Sequence, residues 1–299
     1  MPDIIELIKQ DLQNFSDKQM QDFSLIRAKS GVYVYRCRYD GVSAVVKYLE
    51  KEDDRREISN YQMLIKHGIP TIKTLVLANA TLVMEDISVS QDWRLGIAED
   101  LDDVDVAKSL AEWYFIFHEK GFAVPELDSL FFEYDSITVD NLKMLSKKLP
   151  QAKELFQFLL DNYDKLHSLI YKPAFTLAYN DFYWENFVVR KDKKAAMMFD
   201  YNLLGKGYRS MDFSNVCSSL SDVAGKVFMD EYDRLYLEKY GRNRVEEEKL
   251  ERQLNDVLAP LYALIVAYTE RESFPDWAKG SKEEVVSGSL LPKAKKLGF

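Results

Sequence analysis

Three polar residues near the middle of the chain stand at a spacing that suits phosphoryl transfer. Asn186 follows Asp181 by five positions, and an apolar segment then ends at Asp200. In such sites one carboxylate orients a substrate hydroxyl and accepts its proton, while an amide oxygen and a second carboxylate hold Mg²⁺ on ATP. The pattern therefore predicts Asp181 as the catalytic residue, with Asn186 and Asp200 as the metal ligands.

The segments around these residues explain how Asp200 returns to Asn186. Residues 175–178 are predicted as a strand before the loop, and residues 187–190 and 195–199 as a β-hairpin after it. A hairpin places its two ends side by side, so Asp200 is expected next to Asn186. Proteins usually supply about two oxygen ligands to a Mg²⁺ ion, and waters and phosphates supply the others. Asp and Asn are also ordinary turn residues, so the spacing by itself indicates little without the hairpin.

A lysine and a glutamate in the N-terminal part supply the other half of this chemistry. Lys47 lies within the alternating strand 43–49, and Glu57 lies on the helix predicted next. A lysine on a buried strand costs free energy unless it is paired. In kinases such a lysine grips the α- and β-phosphates while a helix glutamate orients it. The alternative is a strand lysine with its amine in water and a solvated glutamate.

Two further segments are candidates for contacts with the nucleotide. The turn at Ser30 and Gly31 is where backbone N–H groups would cover phosphates, although it contains a single glycine. Met84, Glu85 and Ile87 close the last N-terminal strand, where a hinge would present its backbone to the adenine edge. Both segments are equally compatible with ordinary turns and strand ends.

The order of elements predicts an α+β fold. Residues 4–28 are predicted as one or two short helices, and the rest of residues 1–84 as a small antiparallel sheet with one inserted helix. Further helices are predicted at 100–121, 150–171, 221–240 and 244–271, and the lysine-rich residues 287–299 as a loosely held tail.

Composition excludes several classes of protein. The 299 residues are 47% hydrophobic and 30% charged, which is ordinary for a globular protein. A net charge of −9 argues against a nucleic-acid partner. No apolar run reaches the roughly 18 residues that a membrane span needs, and the acidic start is unlike a signal peptide. Cys37 and Cys217 are far apart, so we predict a reducing cytoplasmic location and no membrane partner.

Together these motifs resemble the aminoglycoside phosphotransferase family, the small-molecule branch of the protein-kinase-like fold. The resemblance covers roughly residues 25–220 and rests on the following segments: Glu57-x-x-x-Tyr61-x-x-Leu64 with Gly68-Ile69-Pro70, Leu82 to Asp86, Tyr179-Asn180-Asp181 to Asn186, Phe199-Asp200-Tyr201, and Met211-Asp212-Phe213. It implies a bilobal fold with a nucleotide-binding lobe at residues 1–86 and a mostly helical, catalytic and substrate-binding lobe at residues 87–299.

The resemblance also implies roles for the residues. Asp181 would be the catalytic base, Asn186 and Asp200 the Mg²⁺ ligands, and Lys47 with Glu57 the grip on ATP. A hydroxyl of a small molecule would accept the phosphate. Aminoglycosides, amino alcohols and sugars are the candidates, cationic compounds among them.

The chain departs from the family pattern at two positions and leaves competing hypotheses open. Tyr179 replaces a histidine and Asn180 a glycine. Tyr179 can substitute by packing and by its hydroxyl, and Asn180 can adopt a glycine-like backbone. A non-catalytic, kinase-like protein that binds nucleotide or a partner is the main alternative. Protein kinase activity ranks lower, because no activation-segment motif follows Asp200. The sequence leaves the oligomeric state open.

Overall fold

The computed structural model describes residues 3–298, with side chains at all of these positions except 246 and 247. The chain divides into two compact units. The first unit consists of Met1–Val124, Tyr179–Leu204 and Asn215–Leu235, and the second of Pro125–Ala178, Gly205–Ser214 and Tyr236–Phe299. This division by compactness does not test the lobe boundary predicted after residue 86, which stays a prediction.

A five-stranded antiparallel sheet organises the first unit. Its strands are β1 (Met20–Lys29), β2 (Val32–Tyr39), β3 (Val42–Leu49), β4 (Thr74–Leu77) and β5 (Thr81–Glu85), in the order β1-β2-β3-β5-β4. The alternating segments predicted as strands become β2 and β3. Asp40 and Gly41 join them with φ angles of 54° and 77°. Positive φ at both residues is the type I′ geometry, whose twist matches that of the flanking strands.

The prediction that residues 4–28 are helical is wrong in its second half. Helix α1 covers Ile4–Leu12, but Met20–Lys29 is strand β1, paired with β2. Asp22 has a φ of 56°, and the register between the two strands shifts at two places. These irregularities interrupt the two-residue alternation by which a strand is recognised in a sequence.

Helix α2 covers Arg56–Lys66 after a 3₁₀ turn at Glu52–Arg55, as predicted for this segment. Gly68 follows its end with a φ of 66°, the left-handed conformation that commonly terminates helices. One face of α2 is buried and carries Glu57 and Asn60, polar side chains that need partners there.

A second antiparallel sheet of the first unit holds the loop with the catalytic candidates. It consists of β6 (Trp93–Leu95), β8 (Phe187–Arg190) and β9 (Ala196–Met198), so the predicted hairpin is confirmed. At Gly96, after β6, a Cβ would come within 2.3 Å of the Trp184 carbonyl oxygen. Only glycine therefore allows this close backbone approach. Helix α3 (Val104–Gly121) also belongs to this unit.

The second unit surrounds its own apolar core with helices. The helix predicted over 150–171 is broken at Asn162, and β7 (Thr176–Ala178) pairs with β10 (Gly205–Gly207). The remaining helices of the chain are α4 (Val139–Lys148), α5 (Lys153–Asp161), α6 (Tyr163–Ile170), α7 (Arg209–Ser219), α8 (Asp222–Tyr240), α9 (Arg244–Glu247), α10 (Lys249–Thr269), α11 (Lys279–Val286) and α12 (Leu290–Lys295). Within the described residues, no helix is long and apolar enough to span a membrane.

The predicted loose tail at 287–299 is wrong. Helix α12 lies in this segment, and Leu290, Ala294 and Leu297 are buried in the core of the second unit. Their spacing places them on one face of a helix, while the three lysines of the segment lie at other positions. The prediction rested on the lysines and did not use the spacing of these apolar residues.

Candidate active site

Asp181 and Asn186 lie on one short loop and contact each other directly. The loop leads from β7 to β8 and ends in a 3₁₀ turn at Trp184–Asn186. The Asn186 side-chain amide donates to Asp181 Oδ2 at 3.0 Å and to the Asp181 carbonyl oxygen at 3.1 Å. The amide nitrogen of Asn186 thus contacts Asp181 twice, and the Oδ1 of Asn186 is the side-chain atom that could accept a metal ion.

The β8–β9 hairpin brings Asp200 to this loop, as its pattern predicted. Phe187 pairs with Met198 across the two strands, and the Phe199 N–H donates to the Asn186 carbonyl oxygen at 2.9 Å. Asp200 follows directly. It has a φ of 62°, in the left-handed region that Asp tolerates better than most residues.

Lys47 joins the sheet of the first unit to Asp200. Its Nζ lies 2.6 Å from Glu57 Oε2 and 2.9 Å from Asp200 Oδ1. The lysine is 8% exposed and Glu57 is 1% exposed. Burial alone would lower the pKa of Lys47, but the two carboxylates reverse this and raise it. Lys47 is therefore held as a cation, and the predicted pairing with Glu57 is present together with a contact to Asp200.

Asp181 lies in surroundings that favour its protonated form. Burial raises the pKa of the Asp181 carboxyl, and the charge of Asp200 raises it further, against the hydrogen bond from Asn186 and the charge of Lys47. A carboxyl with a raised pKa is a stronger base when ionised, which is what proton acceptance from a hydroxyl requires.

The two departures from the family pattern have structural explanations. Tyr179 is fully buried, and its hydroxyl donates to the Phe199 carbonyl oxygen and, at 3.3 Å, to that of Asp200. Asn180 has a φ of 65°, the backbone conformation otherwise typical of glycine, and its amide donates to the Leu203 carbonyl oxygen at 3.2 Å. The packing and hydrogen bonding expected of Tyr179, and the glycine-like backbone expected of Asn180, are therefore both present in the structure.

Two residues of α2 that sequence reasoning did not assign to the site reach the Asp200 segment. Asn60 Nδ2 donates to the Tyr201 carbonyl oxygen at 2.8 Å, and the Asp200 N–H lies 3.4 Å from the Tyr61 hydroxyl. The Tyr61 ring also packs edge-on against the Tyr201 ring, with centroids 4.8 Å apart. The available signals were their position on the helix of Glu57, one turn further along, and the place of Tyr61 in the motif that begins at Glu57.

The predicted hinge residues lie at the end of β5, close to Lys47 in the sheet. Met84 pairs with Val45 on β3, two positions from the Lys47–Leu82 pair. The Glu85 N–H donates to the Lys73 carbonyl oxygen at 2.9 Å, and Ile87 is buried. The N–H of Glu85 is thus already used within the sheet.

Asp86, which sequence reasoning did not single out, fixes this hinge. Its carboxylate accepts from Arg36 Nε at 2.8 Å, from the Ser43 hydroxyl at 2.7 Å and from both the N–H and the hydroxyl of Ser88. Burial raises the pKa of this carboxyl, but the hydrogen bonds from Ser88, Ser43 and Arg36 outweigh burial and lower it. The carboxylate of Asp86 therefore ties the segment after β5 to Arg36 on β2 and Ser43 on β3.

Ser30 and Gly31 form the tight turn between β1 and β2, with φ angles of 55° and 92°. The Gly31 carbonyl oxygen accepts from the Glu50 N–H at 2.9 Å, and a Cβ on Gly31 would lie 3.3 Å from the Glu50 carboxylate. The turn thus packs beside the end of β3, the strand of Lys47. Its predicted contact with phosphate stays a prediction.

The donor atoms present at the site suit Mg²⁺ more than a transition metal. Asn186 and Asp200 offer oxygen atoms, which Mg²⁺ prefers, and its other ligands are normally waters and phosphate oxygens. Among the described residues, no three His, Cys, Asp or Glu side chains form a metal-binding group of their own. Waters and phosphate oxygens would complete the coordination of a Mg²⁺ ion held by Asn186 and Asp200, with Lys47 as the adjacent cation.

Solved structures share the fold of this chain. A macrolide 2′-phosphotransferase from Brachybacterium faecium is 13% identical, with a TM-score of 0.59 over 94% of this chain and 97% of its own. A spectinomycin phosphotransferase in complex with ADP and spectinomycin is 12% identical, with a TM-score of 0.59 over 98% of both chains. A choline/ethanolamine kinase family protein from Mesorhizobium loti is 14% identical, with a TM-score of 0.58 over 98% of this chain and 97% of its own.

No protein-family model matches the chain, and no curated protein matches its sequence. The likeness to the solved structures, at these low identities, is one of fold. It confirms the predicted α+β, bilobal, protein-kinase-like architecture of small-molecule phosphotransferases.

Proposed function

We propose that this protein is an enzyme that transfers the γ-phosphate of ATP to a hydroxyl group of a small molecule. The observation that carries the proposal is the direct connection of Lys47 with Glu57 and Asp200, beside the joined pair Asp181 and Asn186. These are the side chains that phosphoryl transfer needs, and they meet within one unit of a fold shared with phosphotransferases.

The chain's own residues would bind and orient the nucleotide. Lys47, kept charged and directed by Glu57, would bind the phosphates, and the backbone near Met84, Glu85 and Ile87 would meet the adenine. Asn186 Oδ1 and the Asp200 carboxylate would hold Mg²⁺, which supplies charge neutralisation to the phosphates when it is bound. The turn at Ser30 and Gly31 would cover the phosphates from the side of β3.

Asp181 would align the acceptor hydroxyl and take up its proton at a carboxylate oxygen. The amide of Asn186 fixes this carboxylate in place, so it need not reorganise during the reaction. Most of the catalytic effect would come from such positioning, because phosphoryl transfer asks for little covalent chemistry from the protein.

The surroundings of the loop favour a small acceptor with cationic or sugar-like character. Tyr183 beside Asp181 is 50% exposed, and Glu185 is exposed as well. An exposed aromatic ring and a carboxylate suit an amino group or the apolar face of a sugar. The similar structures include a spectinomycin phosphotransferase and a choline/ethanolamine kinase family protein, which makes both aminoglycosides and amino alcohols candidates.

A non-catalytic protein that binds nucleotide is the second candidate. The observation that favours it is the tight Ser30–Gly31 turn, which contains one glycine where a phosphate-covering loop usually has several. The positions of Tyr179 and Asn180 no longer favour it, because both residues make contacts that keep the loop in place.

The experiment is a measurement of Mg²⁺-dependent ADP release across aminoglycosides, amino alcohols and sugars. The wild type is compared with Asp181→Asn, Asp200→Asn and a matched control, Asp192→Asn, whose carboxylate is exposed in the β8–β9 turn. We expect release stimulated by one compound class, lost in the first two variants and kept in the control. Nucleotide binding without stimulated release by any compound supports the second candidate. Full turnover by Asp181→Asn would refute the assigned role.

A further inference from the structure

We propose that Asn60 is a positioning residue for Asp200, and that helix α2 thereby sets the affinity of the proposed site for its divalent metal. The inference rests on the proposed function in one respect, since it takes Asp200 as a metal ligand. Asn60 lies outside the proposed phosphate- and metal-binding residues, and its side chain would control the position of Asp200.

The backbone of Asp200 needs support from its surroundings. A left-handed φ of 62° is less favourable for Asp than for glycine, and it persists where neighbouring groups hold it. The Asp200 N–H reaches the Tyr61 hydroxyl at 3.4 Å, and the Asp200 carbonyl oxygen lies 3.3 Å from the Tyr179 hydroxyl. Both hydrogen bonds are long, so by themselves they hold the backbone of Asp200 only weakly.

Asn60 supplies that constraint at the next peptide group. Its amide donates to the Tyr201 carbonyl oxygen at 2.8 Å, the shortest of the contacts from α2 to this backbone. Asn60 is 5% exposed and Tyr201 is fully buried, so water has little access to replace the bond. The same carbonyl oxygen also accepts from the Leu204 N–H, at a longer 3.3 Å. Without the Asn60 amide it would keep only this weaker bond, and the left-handed Asp200 beside it would be held less firmly.

Helix α2 therefore holds Asp200 from two directions. Glu57 lies one turn before Asn60 on the same buried face and pairs with Lys47, whose Nζ contacts the Asp200 carboxylate. Asn60 holds the backbone of the same segment. A shift of α2 would move the carboxylate and the backbone together, so the metal ligand and the phosphate-binding lysine are set by one helix.

The test is Mn²⁺ binding in the presence of ADP, followed by the relaxation of water protons, which needs no acceptor and no turnover. Asn60→Leu has a similar volume and no donor, and Gln62→Leu makes the same kind of change on the exposed face of α2. We expect Asn60→Leu to weaken Mn²⁺ binding about tenfold, the effect of roughly one lost buried hydrogen bond, and Gln62→Leu to leave it unchanged. ADP binding without metal should change less than Mn²⁺ binding.

The outcomes separate this inference from the proposed function. Binding is measured well below the unfolding transition of each variant, so a stability loss alone does not alter the affinity. If Asn60→Leu does not fold, Asn60→Ser, whose hydroxyl is too short to reach the carbonyl, takes its place with the same expectation.

Equal Mn²⁺ affinity in wild type and variant would overturn the positioning role and leave the kinase proposal intact. Weakened Mn²⁺ binding in a protein that phosphorylates no acceptor would support the positioning role and refute the kinase. No Mn²⁺–ADP binding by the wild type would refute both.

Discussion

Replacing Lys47 by methionine tests how much stability the fold loses when the buried carboxylate of Glu57 has no cationic partner. The substitution keeps the length and most of the apolar volume of the side chain but removes the charge between Glu57 and Asp200. Asp200 is partly accessible to water, with 29% of its side chain exposed, whereas Glu57 is 1% exposed. The unpaired charge at Glu57 therefore dominates the expected effect.

The magnitude follows from the cost of neutralising Glu57. A buried ion that loses its partner costs about 3–5 kcal/mol, unless the group takes up a proton instead. At about pH 7.5, protonating a carboxyl with an ordinary pKa of about 4.3 costs roughly 4 kcal/mol, since each pH unit is worth about 1.4 kcal/mol. At about pH 5.5 the same step costs roughly 1.6 kcal/mol. Burial raises the pKa of Glu57 to about 7 even beside Lys47, so the wild type already bears most of this cost. The loss of unfolding free energy in the variant should therefore be about 1 kcal/mol at the higher pH and smaller at the lower pH.

The sign of this pH dependence is fixed by burial. Burial raises the pKa of Glu57, and the charge of Lys47, which opposes that shift, is absent from the variant. The folded variant then binds more protons than its unfolded chain. The contribution of Glu57 to its stability is most favourable below the unfolded pKa of about 4.3 and is lost as the pH rises through the raised pKa.

Urea unfolding at the two pH values measures the effect, with Lys51→Met as the control. Lys51 is exposed, so its replacement should change the unfolding free energy by less than about 0.5 kcal/mol. Adding Glu57→Gln to Lys47→Met removes the unpaired charge and should restore most of the lost stability. A loss that is the same at both pH values, and that Glu57→Gln does not reverse, would refute the reasoning.

Substitutions at two further positions test the loop that carries the catalytic candidate. Asp181→Asn should raise the melting temperature by a few degrees near neutral pH, because burial and the charge of Asp200 raise the pKa of the Asp181 carboxyl and its ionised form destabilises the fold. The gain should vanish in acid, where the wild-type carboxyl is protonated; a gain independent of pH in thermal melts would contradict this cause. Asn180→Gly should change stability by less than about 1 kcal/mol, whereas Asn180→Val, a β-branched residue at a φ of 65°, should cost about 1–3 kcal/mol in urea unfolding. Equal stability of these two variants would rule out the backbone explanation.

The main parts of the site could be predicted because their spacing reflects local geometry. A hairpin necessarily brings Asp200 back to the loop of Asn186, and a lysine within an apolar strand needs a carboxylate partner. Both inferences follow from one element and its neighbour in sequence. The predicted roles of these residues in binding and catalysis stay predictions until they are measured.

The supporting contacts could not be predicted, because they join residues far apart in sequence whose types suit many environments. Asn60 on a helix is equally compatible with an exposed position, and its bond to Tyr201 depends on the rotation of α2 against the sheet. Asp86 resembles an ordinary turn residue, although it binds Arg36, Ser43 and Ser88. Strand β1 could not be predicted because its irregular pairing interrupts the alternation of apolar residues.

The two departures from the family pattern show why the chemistry of a position matters more than its residue type. At the position of Tyr179 a buried hydroxyl donates to the carbonyl group before Asp200. The position of Asn180 needs a left-handed backbone, which Asn adopts at modest cost while its amide gains a bond to Leu203. The requirement at each position is therefore met by a different side chain. A substituted motif residue argues against function only where the structure leaves its contact unmade, and at these two positions the contacts are made.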